Sequence, residues 1–78
     1  MDEWLSRQAD ALARATGVPR EQLELSSTEV ETLLDVAGHA AHESGARTNA
    51  PLLCYLLGLM HGGTKGLDEL VEIVRSTS

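Results

Sequence analysis

The sequence has little aromatic, sulfur-containing or basic material. Its 78 residues include no Phe, one Trp, one Tyr and one Cys, and six Lys and Arg residues stand against twelve Asp and Glu. A single cysteine forms no internal disulfide, and Cys54 lies in an apolar run where a thiol behaves as a small hydrophobe. The formal net charge of -6 repels phosphate backbones, so nucleic acid is excluded as an expected partner.

Long apolar runs are also missing. The longest, residues 50–60, is about half of the roughly 20 residues that a transmembrane helix needs. The N-terminus, from Met1 to Trp4, is acidic and amphipathic and lacks the basic and apolar regions of a secretory signal. We therefore expect a cytoplasmic protein that does not bind a membrane.

The length limits how much core the chain can build. Seventy-eight residues are too few for two domains, so we expect one domain over residues 1–78. Hydrophobic residues make up 42% of the chain, and the core they predict is mainly aliphatic. Because one core of this size contributes only about 3–5 kcal/mol, we expect stabilisation by a protein partner or by self-association, for example as a homodimer.

The spacing of apolar residues predicts helices and no strands. A first helix carries Trp4 and ends near Thr16, since Gly17 and Pro19 favour a stop. Residues 18–27 are predicted to form a loop with one helical turn.

A second helix begins at one of two capping boxes, Ser26–Glu29 or Thr28–Glu31, and runs to Ser44. Its predicted apolar stripe consists of Val30, Leu33, Leu34, Ala37 and Ala41.

The third helix, residues 50–61, is apolar on nearly all sides and is capped by Asn49. Such a helix is expected at the centre of the fold, with Gly58 marking a close approach of a neighbour and Gly62 and Gly63 ending it. A fourth helix follows with the stripe Leu67, Leu70, Val71 and Val74. The predicted fold is an all-α, compact bundle of about four short helices around the apolar central helix.

Three polar residues of the second helix form one candidate site. Asp35, His39 and His42 fall within about 60° of each other on a helical wheel, opposite the predicted stripe. Two imidazoles and a carboxylate are able to share a metal ion, but one helix seldom supplies all ligands, so we assign no metal and no cofactor. The favoured interpretation is a solvated polar face, and the alternative is a surface for a partner or ligand.

A second candidate is Arg47, in the loop before the third helix. Free N–H groups at a helix start and a nearby guanidinium are able to receive a phosphate or carboxylate. The more ordinary interpretation is that Arg47 pairs with a surface acid while Asn49 caps the helix.

The sequence offers no catalytic site. No Ser can be matched with a His and an acid in a known order, and Cys54 is surrounded by apolar residues rather than by groups that activate a thiol. Tyr55 and Trp4 are expected to be core aromatics. We therefore expect a protein that is not an enzyme.

Parts of the sequence resemble a known family. The order of Ala41 and His42, Arg47, the segment 50–52 and the segment 55–59 resembles a small actinobacterial helical domain family of unknown function, which also begins with an acidic, Trp-containing helix. The resemblance spans nearly the whole chain. Members are associated with molybdopterin-guanine dinucleotide biosynthesis, because the domain occurs alone or attached to a molybdenum cofactor guanylyltransferase-like domain.

The resemblance implies a helical accessory module without the nucleotide-binding transferase domain, and it matches His42 and Arg47 only as polar positions. The function we expect is therefore a non-enzymatic accessory or interaction module, linked to molybdenum cofactor biosynthesis. The alternative is a small metal- or anion-binding protein that uses the polar face of the second helix.

Overall fold

The computed structural model describes residues 1–61 and 66–77. Its elements are α1 (Glu3–Thr16), a 3₁₀ turn (Arg20–Leu23), α2 (Ser27–Ser44), α3 (Asn49–His61) and α4 (Leu67–Thr77). No strand occurs in the described ranges, so the all-α prediction with four helices is confirmed. The chain divides into two compact units, Met1–Val30 and Glu31–Ser78. The expectation of one domain over residues 1–78 stays a prediction.

In the first unit, helix α1 begins and ends where local chemistry predicts. The Asp2 carboxylate accepts a hydrogen bond from the Leu5 N–H at 2.8 Å, which satisfies a free donor of the first turn. At the other end Gly17 has φ 78°, and its N–H donates to the Ala13 carbonyl at 2.9 Å. Glycine reaches this left-handed conformation without the steric penalty of a side chain, so the predicted stop is confirmed.

The 3₁₀ turn is tied to α1 by one arginine. The Arg20 Nε donates to the Asp10 carboxylate at 2.6 Å, and its Nη1 donates to Glu24 at 3.0 Å. The hydrogen bond to Asp10, together with the charges of both acids, raises the pKa of Arg20. The helical turn predicted between residues 18 and 27 is confirmed, and this ion pair holds it beside α1.

Helix α1 buries only Ala9 among its residues. The prediction of Trp4 as a core residue is wrong, because its side chain is 60% exposed. Trp4 lies about 140° around the helix from Ala9, since successive residues advance by about 100°.

Helix α2 starts at the first of the two predicted capping boxes. The Ser26 N–H donates to the Glu29 carboxylate at 2.8 Å, and the Glu29 N–H donates back to the Ser26 hydroxyl at 3.1 Å. This exchange satisfies two backbone donors with one pair of side chains. The helix ends at Ser44, and Gly45 follows with φ 71°, as the sequence predicts.

The core of the second unit lies between α2, α3 and α4. Its buried residues are Val36, Leu57, Leu70 and Val71, and Leu53, Cys54, Leu67 and Val74 pack against them. The predicted stripe of α4 is confirmed, since all four of its members belong to this cluster. Near this core Arg75 donates to the Asp35 carboxylate at 2.6 Å and joins α4 to α2.

The predicted stripe of α2 is confirmed only in part, because four of its residues are half-buried but none is among the most deeply buried residues of the helix. Val36 is fully buried and Ala40 nearly so, whereas Leu34 is 69% exposed. The buried side is therefore rotated by roughly a quarter of a turn from the predicted one. Helix α2 carries small apolar residues around much of its circumference, and the positions of Leu57, Leu70 and Val71 decide which of them are covered.

The expectation that α3 is surrounded by other helices is also wrong. Leu57 is the one side chain of α3 that is almost fully buried in the part of the helix described, while five other large apolar side chains are more than half exposed. A Cβ placed on Gly58 would meet no atom within 4 Å, so Gly58 does not mark a close approach. The stop predicted at Gly62 and Gly63 lies outside the described residues.

Candidate functional site

One side of α3 carries large apolar side chains that the core does not cover. Its members, which we call the exposed α3 face, are Leu52, Tyr55, Leu56, Leu59 and Met60, and each is between 56% and 68% exposed. These residues recur at spacings of three and four, so they share one side of the helix. Tyr55 is therefore not the core residue that the sequence predicts. Contiguous apolar surface of this kind is typical of interaction sites rather than of an isolated monomer.

A groove runs beside this face, formed by two clefts of the second unit. The first, about 330 Å³, is lined by His39, Ala40, Glu43, Ser44, Asn49, Leu52, Leu53, Leu56 and Val74. The second, about 230 Å³, is lined by Leu53, Leu56, Leu57, Met60, Leu70, Ile73 and Val74. Because Leu53, Leu56 and Val74 belong to both, the two clefts form one surface, which we call the groove.

The groove is apolar along its floor and polar at one end. At that end lie His39, Glu43 and Ser44 near the C-terminus of α2, with Asn49 at the start of α3. At the other end Met60 and Ile73, 61% and 52% exposed, give a purely apolar lining. An arrangement of this kind is complementary to a ligand or chain that is itself apolar along one side and polar at its end.

The structure separates the three candidate residues of α2. Asp35 is exposed and is already bonded to Arg75, His42 is exposed, and His39 is half-buried and lines the groove. Residues 1–61 and 66–77 contain no group of three His, Cys, Asp or Glu side chains that could hold a metal ion. Of the predicted polar face, His39 alone therefore belongs to the groove, and the geometry does not support a metal site.

Arg47 lies in the turn between α2 and α3, and its side chain is exposed. The turn is built from its own backbone, because the Asn49 N–H donates to the Ala46 carbonyl at 3.0 Å and the Ala50 N–H donates to the Arg47 carbonyl at 3.2 Å. The Ala46 N–H donates to the Ser44 hydroxyl at 3.2 Å. Arg47 does not line the groove, so its role as an anion ligand stays a prediction.

The sequence does not predict the groove, because the apolar residues of α3 that line it are predicted to be core residues. Leu56 and Met60 were expected to be covered, and Ile73 was left out of the α4 stripe. One signal was available: α3 is apolar on nearly every side, and three short helices have limited surface with which to enclose it.

The comparisons with known proteins identify a family but no activity. The described helices include none with the length and apolar character needed to cross a membrane. No curated protein matches the sequence, and no solved structure matches it either. One family, described as a domain of unknown function, matches residues 1–77. The chain therefore belongs to the DUF6457 family.

Proposed function

We propose that the chain is a non-enzymatic helical interaction module of the cytoplasm that binds a second protein through the exposed α3 face. The observation that supports this proposal is the exposure of five large apolar side chains on α3, where Leu57 alone among the described side chains is almost fully buried. Complete burial of such a side chain contributes about 1.5–3 kcal/mol, so a partner that covers this face gains free energy without displacing any part of the core.

A second copy is one partner that this face suits. Segment 49–60 has no Asp, Glu, Lys or Arg, so pairing α3 against α3 brings no like charges into direct contact despite the net charge of -6. In a two-fold dimer the same patch serves on both subunits. Because a 78-residue chain builds only a small core, burial of the exposed α3 face by a second copy would also stabilise the folded chain.

The second proposed partner is a molybdenum cofactor guanylyltransferase-like enzyme. Its support is the resemblance of segments 50–52 and 55–59 to the family associated with molybdopterin-guanine dinucleotide biosynthesis. Both segments lie on α3, where the exposed face is found.

Light scattering after size-exclusion chromatography tests the proposal. The chain is run alone over a wide concentration range and then mixed with a purified guanylyltransferase-like protein. The informative variant combines Leu56→Ser with Leu59→Ser. Leu34→Ser is the matched control, because Leu34 is equally exposed but lies on α2. Circular dichroism checks that all variants are folded.

We expect association with itself or with the transferase, lost in the double variant and kept in Leu34→Ser. A chain that stays monomeric and does not bind the transferase contradicts the proposal. So does association that survives in the double variant.

A further inference from the structure

The groove has the dimensions of a docking site for a helix. Between Leu52 and Met60 the axis of α3 rises by about 12 Å, which corresponds to two to three helical turns. A helix that lies in a groove places apolar side chains at i, i+3 or i+4, and i+7 against it. The first and last of these are about 10 Å apart along the helix axis, which is close to the length of the groove. Two clefts joined at Leu53, Leu56 and Val74 suit two successive anchors of this kind.

The charged residues around the groove indicate which charge a bound chain should carry. Of the described residues that line the two clefts, none is Lys or Arg, and Glu43 lies at the polar end. Glu69, which is exposed, lies one turn before Ile73 on α4. Over residues 31–61 and 66–77 there are six carboxylates and two guanidinium groups, and one guanidinium, that of Arg75, is bonded to Asp35. The described lining of the groove therefore carries one carboxylate and no ammonium or guanidinium group.

The uncharged α3 face suits a second copy, but Glu43 and the lack of a basic residue in the lining argue against a helix of a second copy lying in the groove itself. Another copy carries the same charge of -6 and would bring carboxylates toward Glu43 and Glu69. Like charges placed together across an interface oppose association, whereas opposite charges favour encounter and fix orientation. We infer that the groove binds an amphipathic helix of a different protein, whose apolar residues enter the two clefts and whose Lys or Arg residues lie beside Glu43 and Glu69. This inference rests on the proposed function, because it uses the side of the groove that the exposed α3 face supplies.

The test uses a fluorescent peptide of Leu and Lys, about 14 residues or four turns long, patterned so that one helical side is apolar. Fluorescence anisotropy with the full chain measures its dissociation constant. We expect Leu56→Ser to weaken binding by at least about tenfold, as expected for a central anchor contact. Leu34→Ser is the matched control, because it truncates the same residue type at an exposed position of α2 outside both clefts, and it should leave the affinity within about twofold.

Charge is tested separately with a peptide in which every Lys is replaced by Glu. We expect the acidic peptide to bind much more weakly, and Glu43→Gln to weaken the basic peptide by about two- to fivefold, which is the usual range for an exposed ion pair. Glu31→Gln is the control, an exposed carboxylate on the same helix that lies outside the groove. Added salt should reduce binding of the basic peptide.

The outcomes separate this inference from the proposed function. If Leu34→Ser weakens binding of the peptide as much as Leu56→Ser does, the loss does not arise in the groove and this inference fails. If both peptides bind equally, the charge argument is wrong. If neither peptide binds while the chain associates with itself through Leu56 and Leu59, the proposed function stands and this inference fails. If neither peptide binds and no association occurs, both fail.

Discussion

Two leucines of α3, only two positions apart, should respond very differently to truncation. Leu57 is 5% exposed and packs in the core cluster, whereas Leu59 is 63% exposed. Replacing a buried leucine by alanine removes its transfer free energy and leaves a cavity, which together cost about 2–5 kcal/mol. Only about a third of the surface of Leu59 is buried. Leu59→Ala should therefore lower the free energy of unfolding by about 0.5–1 kcal/mol.

The size of the chain makes this difference easy to measure. A core built by a chain of 78 residues contributes only about 3–5 kcal/mol to the free energy of unfolding. Leu57→Ala therefore removes a large part of the total stability. Urea unfolding followed by far-UV circular dichroism gives both values, and the slope against urea should be the same for the two variants if their denatured states are similar.

Equal losses in Leu57→Ala and Leu59→Ala would refute the reasoning, because α3 would then be enclosed on both sides. Repeating the measurement at a second protein concentration separates two causes of such a result. Burial by association makes the loss at Leu59 depend on concentration, since a partner that binds only the folded chain stabilises it by mass action. Burial within one chain does not.

Three further changes test individual contacts. A double-mutant cycle of Asp35→Asn and Arg75→Gln should give a coupling of about 0.2–1 kcal/mol that falls with added salt, and zero coupling in low salt would contradict the ion pair between α2 and α4. Ser26→Ala should cost about 1 kcal/mol in thermal unfolding, and no loss would show that Glu29 does not need its partner in the capping box. Gly17→Ala should cost about 1–2 kcal/mol, because a Cβ there meets no atom but the backbone has φ 78°, and an unchanged stability would mean that this conformation is not required.

The ends of the helices could be predicted because they depend on nearby residues. The reciprocal bonds of Ser26 and Glu29 join positions three apart, and Gly17 and Gly45 supply left-handed backbone directly after a helix. Each signal is complete within one turn of chain. The predicted α4 stripe succeeded for a related reason: Leu70 and Val71 stand on a helix whose other sides are mostly polar, so only one orientation buries apolar surface.

The orientation of α2 could not be predicted in the same way. Val36 and Leu34 are both apolar and lie about 160° apart around the helix, so the pattern allows either to face the core. The choice is made by Leu57, Leu70 and Val71, which come from other helices and surround Val36. The orientation of α2 also changes the candidate site. The sequence predicts His39 on the polar side of the helix, but in the structure it lies beside the buried side and lines the groove.

Helix α3 contributes side chains both to the core and to the proposed binding surface, so a substitution on it can change stability and binding together. Leu57 belongs to the core and Leu59 to the exposed α3 face. Leu56, which lies between those two positions around the helix axis, belongs to the exposed α3 face and also lines both clefts of the groove. A charged substitution at Leu56 would therefore oppose partner binding directly, and it could also disturb the neighbouring core contacts. The serine variants are preferable because they shorten the side chain without placing a charge beside Leu57. Any loss of association in them is attributable to the exposed α3 face once the free energy of unfolding has been measured in the same sample.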